Sequence, residues 1–173
     1  MSDVDTTPNI ERYEVDLAPQ VAAPGRLSVM PAPRSPALDG WARALAQVGV
    51  TDVACLLDTA DRNAFGLGRE PEHLAAHGVR FHAYGIDDFG LPTDDATFAS
   101  LIRALAQRLH AGGHVAVHCL AGIGRSGMTA GCTMKTVGFT ADEAIARLSR
   151  ARGCPVPDTA AQADYIRDFT PRA

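Results

Sequence analysis

The stretch HCLAGIGRSG, residues 118–127, admits two chemistries. Counted from Gly122 it spells G-x-G-x-x-G, the glycine pattern of a turn that holds a dinucleotide pyrophosphate. Counted from Cys119 it presents a thiol, five intervening residues, then Arg125 and Ser126, a layout suited to covalent phosphoryl transfer. Both arrangements wrap backbone N–H groups around phosphate, but only the second supplies a nucleophile.

HVAVHC (114–119) reads as a strand running into this turn, and helical sequence resumes near Arg125. The dinucleotide reading needs further βαβ units, whereas the chain beyond Gly122 is short and mostly helical in pattern. It also leaves Cys119 and Arg125 without a task. In the second reading each residue has one. The N–H groups of the loop, including those of Leu120, Ala121, Gly122, Ile123 and Gly124, and the following helix N-terminus converge on one point and favour negative charge there. Such a field lowers a thiol pKa from about 8.5 toward the 3.5–7.5 range of activated cysteines. The Arg125 fork matches two phosphate oxygens, and Gly122 and Gly124 let the backbone close around them. Ser126 can donate to the Cys119 sulfur and help it leave. His118 is expected to hydrogen-bond nearby backbone and brace the loop without transferring a proton.

H-C-x-x-G-x-x-R-S, carried here by His118, Cys119, Gly122, Arg125 and Ser126, resembles the signature loop of the cysteine-dependent protein tyrosine and dual-specificity phosphatases. The resemblance implies a phosphocysteine intermediate, no cofactor, no metal, and an upstream carboxylic acid that protonates the leaving oxygen. IDDFGLP (86–92) is similar to the acid loop of the dual-specificity group, in which Asp stands four residues before Pro. Asp88 fits that spacing and lies 31 residues (119 − 88) before Cys119; Asp87 is the alternative. The tail PDTAAQADYIRDF looks like the glutamine-bearing segment of classical tyrosine phosphatases and of the cyclin-dependent-kinase-associated type, the type most similar here. That implies a water-orienting task for Gln162, which can equally be a polar residue of an amphipathic helix. Phosphate, vanadate and sulfate are expected to bind the loop, and the implied substrate is a phosphorylated protein or another phosphomonoester.

The elements that must hold these residues follow from pattern. RLSVM (26–30), TDVACLL (51–57), VRFHAYG (79–85) and HVAVHC read as strands. Between them lie ALDGWARALAQVG, with Ser35 as N-cap and Pro36 in its first turn, a polar region with a helix near EPEHLAAHG, and a long amphipathic helix from Thr93. Asp94 and Asp95 suit that helix's first turn better than catalysis. Thr140 and Glu143 make a capping box, Pro155 interrupts the next helix, and Asp158 can cap a last one through Phe169. Strands alternating with helices imply a three-layer α/β domain, its central sheet mainly parallel and its C-terminal part helical. Residues 1–25 read as a partly irregular N-terminal extension and 26–173 as the phosphatase domain.

The bulk numbers exclude other classes. A net charge of −4 gives no cause to expect nucleic acid, and no apolar run is long enough to span a bilayer. The N-terminus lacks the pattern of a secretory signal, and Cys55, Cys119, Cys132 and Cys154 lie far apart, which fits a reduced, cytoplasmic protein. His73 and His77 have zinc-like spacing but no evident third ligand, so they read as ordinary histidines; Trp41 and Cys132 read as packing residues. Cys55 on a central strand suggests a reversible disulfide with Cys119. A phosphoinositide phosphatase shares the loop, but its anionic substrates favour lysines where Leu120, Ala121 and Ile123 stand. Sulfurtransferase and arsenate chemistry leave the acid loop and the Arg125–Ser126 pair unexplained. A low-molecular-weight phosphatase would carry its cysteine near the N-terminus, and a non-catalytic phosphobinding module has no need of Cys119 with an acid.

Overall fold

The computed structural model describes residues 10–171. The reading of residues 1–9 as irregular chain therefore lies outside the described residues. In chain order the elements are β1 (Tyr13–Val15), β2 (Arg26–Met30), α1 (Leu38–Gln47), β3 (Asp52–Leu57), α2 (Thr59–Ala64), α3 (Glu70–Ala76), β4 (Arg80–Ile86), α4 (Asp95–His110), β5 (His114–His118), α5 (Arg125–Thr136), α6 (Ala141–Arg152) and α7 (Ala160–Asp168).

The strands form one sheet in the order β1-β2-β5-β3-β4, parallel except for the antiparallel edge strand β1. β3 and β5 are buried along their whole length, which is why DVACLL and HVAVH are nearly continuous apolar runs rather than alternating ones. The β-alternation sorts neighbours to opposite faces. Val115 and Val117 pack with α4, α5, α6 and α7, whereas Ala116, Met30 and Val53 pack with Ala42 and Leu45 of α1 and Leu74 of α3. The chain is thus a single three-layer α/β domain, as expected. α5, sandwiched between the sheet and the outer helices, is buried from Arg125 to Met134.

Four local readings change. Ser35 does not cap α1: Ala37 occupies the N-cap without a side-chain bond, and Ser35 Oγ donates to the Gly66 carbonyl instead (3.3 Å). α7 is capped by Thr159 in a capping box with Gln162, not by Asp158, because only a residue three before Gln162 can exchange both bonds. Residues 13–15 pair as a strand, and Thr59–Ala64 form a helix capped by Asp58, whose carboxylate accepts from Asp61 N (2.7 Å).

The N-terminal ends of the strands carry a buried polar cluster remote from the signature loop. Burial works against a charge on Asp52, but hydrogen bonds from His82, Thr51 and Arg108 outweigh it and hold its pKa at about 2. Burial, helped by Arg26 and Arg12, lowers His114 to about 4, with its ring sharing a 2.8 Å hydrogen bond with Ser28. Both shifts oppose acid. His114 contributes stability that is complete above its unfolded value of 6.5 and is lost as pH falls toward 4. Asp52 adds a second loss, from near 4 down to about 2. Unfolding free energies from urea titrations at pH 7 and pH 4.5 should therefore differ less in His114→Gln than in wild type, by on the order of 2 kcal/mol. Equal differences in the two proteins would assign the acid sensitivity elsewhere.

Candidate active site

Parallel strands aim their C-terminal ends at one edge of the sheet, where ligands of α/β folds gather. β5 ends there at His118, flanked in register by Met30 of β2 and Cys55 of β3. Residues 119–124 then form the loop, and α5 starts at Arg125. The loop carbonyls are all turned away from its centre. That of Leu120 accepts from Ala32 N (3.0 Å), and those of Ala121 and Gly122 accept from Arg152 Nη2 and Nε (3.2 and 3.3 Å). Those of Ile123 and Gly124 accept from N–H groups of α5. Arg152 itself stacks over the Tyr13 ring of β1, its guanidinium carbon 4.1 Å from the ring centre. With the oxygens held outside, the N–H groups of Gly122, Ile123 and Ser126 point at the Cys119 sulfur.

Two glycines make this closure possible. Gly122 has φ +73°, and a Cβ there would lie 2.5 Å from the Met30 carbonyl carbon. At Gly124 a Cβ would meet the Asp158 carboxylate at 2.5 Å and the Gln162 side chain at 3.1 Å.

Cys119 is buried at the loop centre, with Ser126 Oγ 3.3 Å from its sulfur. Burial works against the thiolate, but the Ser126 hydroxyl and the converging N–H groups outweigh it and hold the thiol below its ordinary pKa. Arg125 is fixed from two sides: Nη1 donates to Asp61 Oδ2 and to the Ile86 carbonyl, both at 2.9 Å. Nη2 lies 3.3 Å from Asp88 Oδ1. Of the two candidate acids it is Asp88 whose carboxylate reaches the guanidinium. The adjoining turn explains why. Phe89 has φ +57°, the single non-glycine residue in the left-handed region among the described residues, and its N–H donates to Asp88 Oδ1 (3.1 Å). A bulky residue held there signals a constrained turn. Asp94 caps α4 and Asp95 accepts from Tyr165 OH, so both have structural partners.

Gln162 is fully buried beside the loop, and both ends of its amide are engaged with backbone. Oε1 accepts from Thr159 N (3.3 Å) and Nε2 donates to the Gly90 carbonyl (3.2 Å), tying the acid loop to α7. His118 donates from Nδ1 to the Cys119 carbonyl (3.1 Å) and from Nε2 to Glu70 Oε1 (2.7 Å). Glu70 and Asp61 are residues that sequence reasoning missed.

Cys55 Sγ, a Glu70 oxygen and a His118 nitrogen lie within 4.8 Å of one another, the single grouping of metal-ligand type found among the described residues. Two donors on one tetrahedral zinc sit roughly 3.4 Å apart, given bond lengths of about 2.0–2.1 Å. The His118–Glu70 separation is shorter and is that of a hydrogen bond. His73 and His77 both face Asp39 (3.7 and 3.0 Å). All four cysteines are free, and burial raises Cys132. Trp41 meets His118 edge-on, with ring centres 6.1 Å apart.

Residues 19–173 match the family model of the Swiss Army Knife protein, DSP-PTPase phosphatase domain. The chain is 31% identical over 101 residues to protein tyrosine phosphatase domain-containing protein 1 of Bos taurus, a match that spans 58% of this chain and 12% of that much longer protein. In fold it is similar to kinase associated phosphatase, crystallised with its catalytic-site cysteine replaced by serine (TM-score 0.82, 20% identity, 92% of this chain and 93% of that one). It is also similar to PTPMT1 in complex with PI(5)P (TM-score 0.70, 16% identity, 91% and 94%). No described helix is long and apolar enough to cross a membrane. With a loop whose amides face a buried cysteine and whose arginine faces a carboxylate, the chain belongs to the DSP-PTPase phosphatase domain family.

Proposed function

We propose that the protein is a protein phosphatase that removes phosphate from tyrosine and from serine or threonine through a phosphocysteine. Arg125 and the loop N–H groups hold the phosphoryl oxygens. The Cys119 thiolate attacks phosphorus; the bond to the leaving oxygen breaks, and that oxygen takes the Asp88 proton. Asp88, now a carboxylate, accepts a proton from water as the water oxygen attacks phosphorus. The P–S bond breaks, and the thiolate leaves onto the Ser126 hydroxyl and the loop N–H groups. Gln162 enters as the tether that holds the acid loop over the signature loop; orienting the water would require it to release Gly90. The reading places the enzyme in a reducing compartment such as the cytoplasm, where the thiolate survives.

The observation that carries the protein substrate is the rim. The exposed large apolar side chains among the described residues are Phe65, Phe89, Leu91 and Leu120, all on segments bordering the loop. Phe65 and Leu120 also line a groove of about 810 Å³ with Pro31, Pro33 and Trp41. An apolar rim suits polypeptide flanking a phosphorylated side chain. A polyanionic inositol headgroup would call for several cations, and the signature loop has Arg125 alone.

Rapid mixing with p-nitrophenyl phosphate in EDTA and reductant is expected to give a burst of nitrophenol, with phosphate on the Cys119 peptide after acid quench. Under the same conditions phosphotyrosine and phosphothreonine peptides should be hydrolysed faster than a soluble inositol phosphate. The reverse order would make the lipid-headgroup reading, which the likeness to PTPMT1 suggests, the better one.

A further inference from the structure

Behind the nucleophile lies a charge that the phosphatase reading does not use. Glu70, the first residue of α3, is fully buried, although glutamate is among the side chains least often found inside proteins. Its Oε1 accepts from His118 Nε2 at 2.7 Å, and its Oε2 has no hydrogen-bond partner among the described residues. A buried ion pair is a poor device for stability, because desolvating both charges offsets their attraction, and an oxygen left unpaired adds to the cost.

The pair is oriented. The far side of the imidazole faces Glu70, and the near side donates from Nδ1 to the carbonyl of Cys119 itself. Around the ring stand Glu70 of α3, Cys55 of β3 and the apolar Trp41 of α1. Burial opposes a charge on His118, but the Glu70 carboxylate, with Cys55, outweighs it and holds the imidazole well above its ordinary pKa.

We propose that Glu70 is a positioning residue for the nucleophile, acting through His118: it keeps a doubly donating imidazolium directly behind the Cys119 peptide. The positive end of the pair then abuts the carbonyl of the nucleophile's own residue and the negative end lies on the far side of the ring, so a thiolate on Cys119 would have the cation as the nearer of the two charges. This rests on Cys119 being the nucleophile.

The test reads the thiolate without turnover. Alkylation of Cys119 by iodoacetamide is followed against pH, with the Cys119 peptide resolved by mass spectrometry. On the acid side of the wild-type inflection the Glu70→Gln protein should alkylate about tenfold more slowly than wild type, the two converging at high pH, as expected for a one-unit rise of the thiol. Glu70→Asp should recover part of the loss. On a His118→Asn background, Glu70→Gln should change the rate less than about twofold, since its route is gone. An unchanged profile in a Glu70→Gln protein of wild-type near-UV spectrum and vanadate affinity would overturn the proposal. Faster alkylation on the acid side of that inflection would overturn it too, since the imidazolium would then persist without its carboxylate. If Glu70→Gln does not fold, NMR of wild type decides: His118 must be doubly protonated at pH 7, and a neutral ring sinks the idea. Turnover that survives in Cys119→Ser would instead remove the phosphocysteine reading, and it is measured separately.

Discussion

Cys119→Ser is expected to lose at least ~10⁴-fold in turnover of p-nitrophenyl phosphate while binding vanadate or phosphate within a few-fold of wild type. The two expectations separate chemistry from recognition. A serine hydroxyl in this loop does not ionise near neutral pH, so the attacking group is lost. The oxyanion frame of the proposed mechanism consists of the N–H groups around Sγ and Arg125, and none of them depends on the sulfur. Steady-state kinetics in EDTA together with calorimetric anion binding check both at once. Turnover within tenfold of wild type would mean that water attacks directly and that Cys119 is not covalently involved. Loss of anion binding along with turnover would mean that the substitution has collapsed the loop, and the kinetics would then say nothing about the nucleophile.

Asp88→Asn is expected to cost about 10²–10³-fold with a phosphotyrosine peptide or phenyl phosphate and markedly less with p-nitrophenyl phosphate. The reason lies in the leaving group. Nitrophenolate departs without a proton, whereas an unactivated phenol or alcohol needs one as the P–O bond breaks. The penalty should therefore rise with leaving-group pKa, and a series of aryl phosphates measures it as a slope. Asp87→Asn is expected to stay within about threefold across the series, because it is Asp88 whose carboxylate reaches Arg125 (3.3 Å). A steep slope in Asp87→Asn and a flat one in Asp88→Asn would exchange their roles.

The sheet was legible because its central strands are uninterrupted apolar runs and its long helices carry strong caps: Asp94 on α4, Thr140 with Glu143 on α6. Cys119, Arg125 and Ser126 were legible because one short segment holds them all, so no folding need be known to bring them together. Asp61 and Glu70 were not. Each reaches the site from a different element across a sequence separation of 64 or 48 residues, and only the β3–β5 pairing turns that into proximity. Asp58 and Asp61 look alike in sequence, yet one caps α2 and the other grips Arg125. β1 escaped notice because three residues are too few for a period to show, and its pairing with β2 is what defines it. Ser35 illustrates the opposite error, a sound cap signal overridden when Gly66 came close enough to take its hydroxyl.

The outward-turned carbonyls have a consequence for how such a domain can diverge. In the proposed mechanism the oxyanion is held by main chain and one guanidinium, which leaves the side chains of Leu120, Ala121 and Ile123 with no part in the reaction. Leu120 is exposed on the rim, whereas Ala32, Arg152 and α5 anchor the loop from behind. Substitutions at the rim can therefore change which molecules are admitted without altering the catalytic step, and the two properties are free to evolve at different rates. Arg152 is where that freedom ends: through it the geometry of the loop is coupled to α6 and to the Tyr13 ring on the far edge strand.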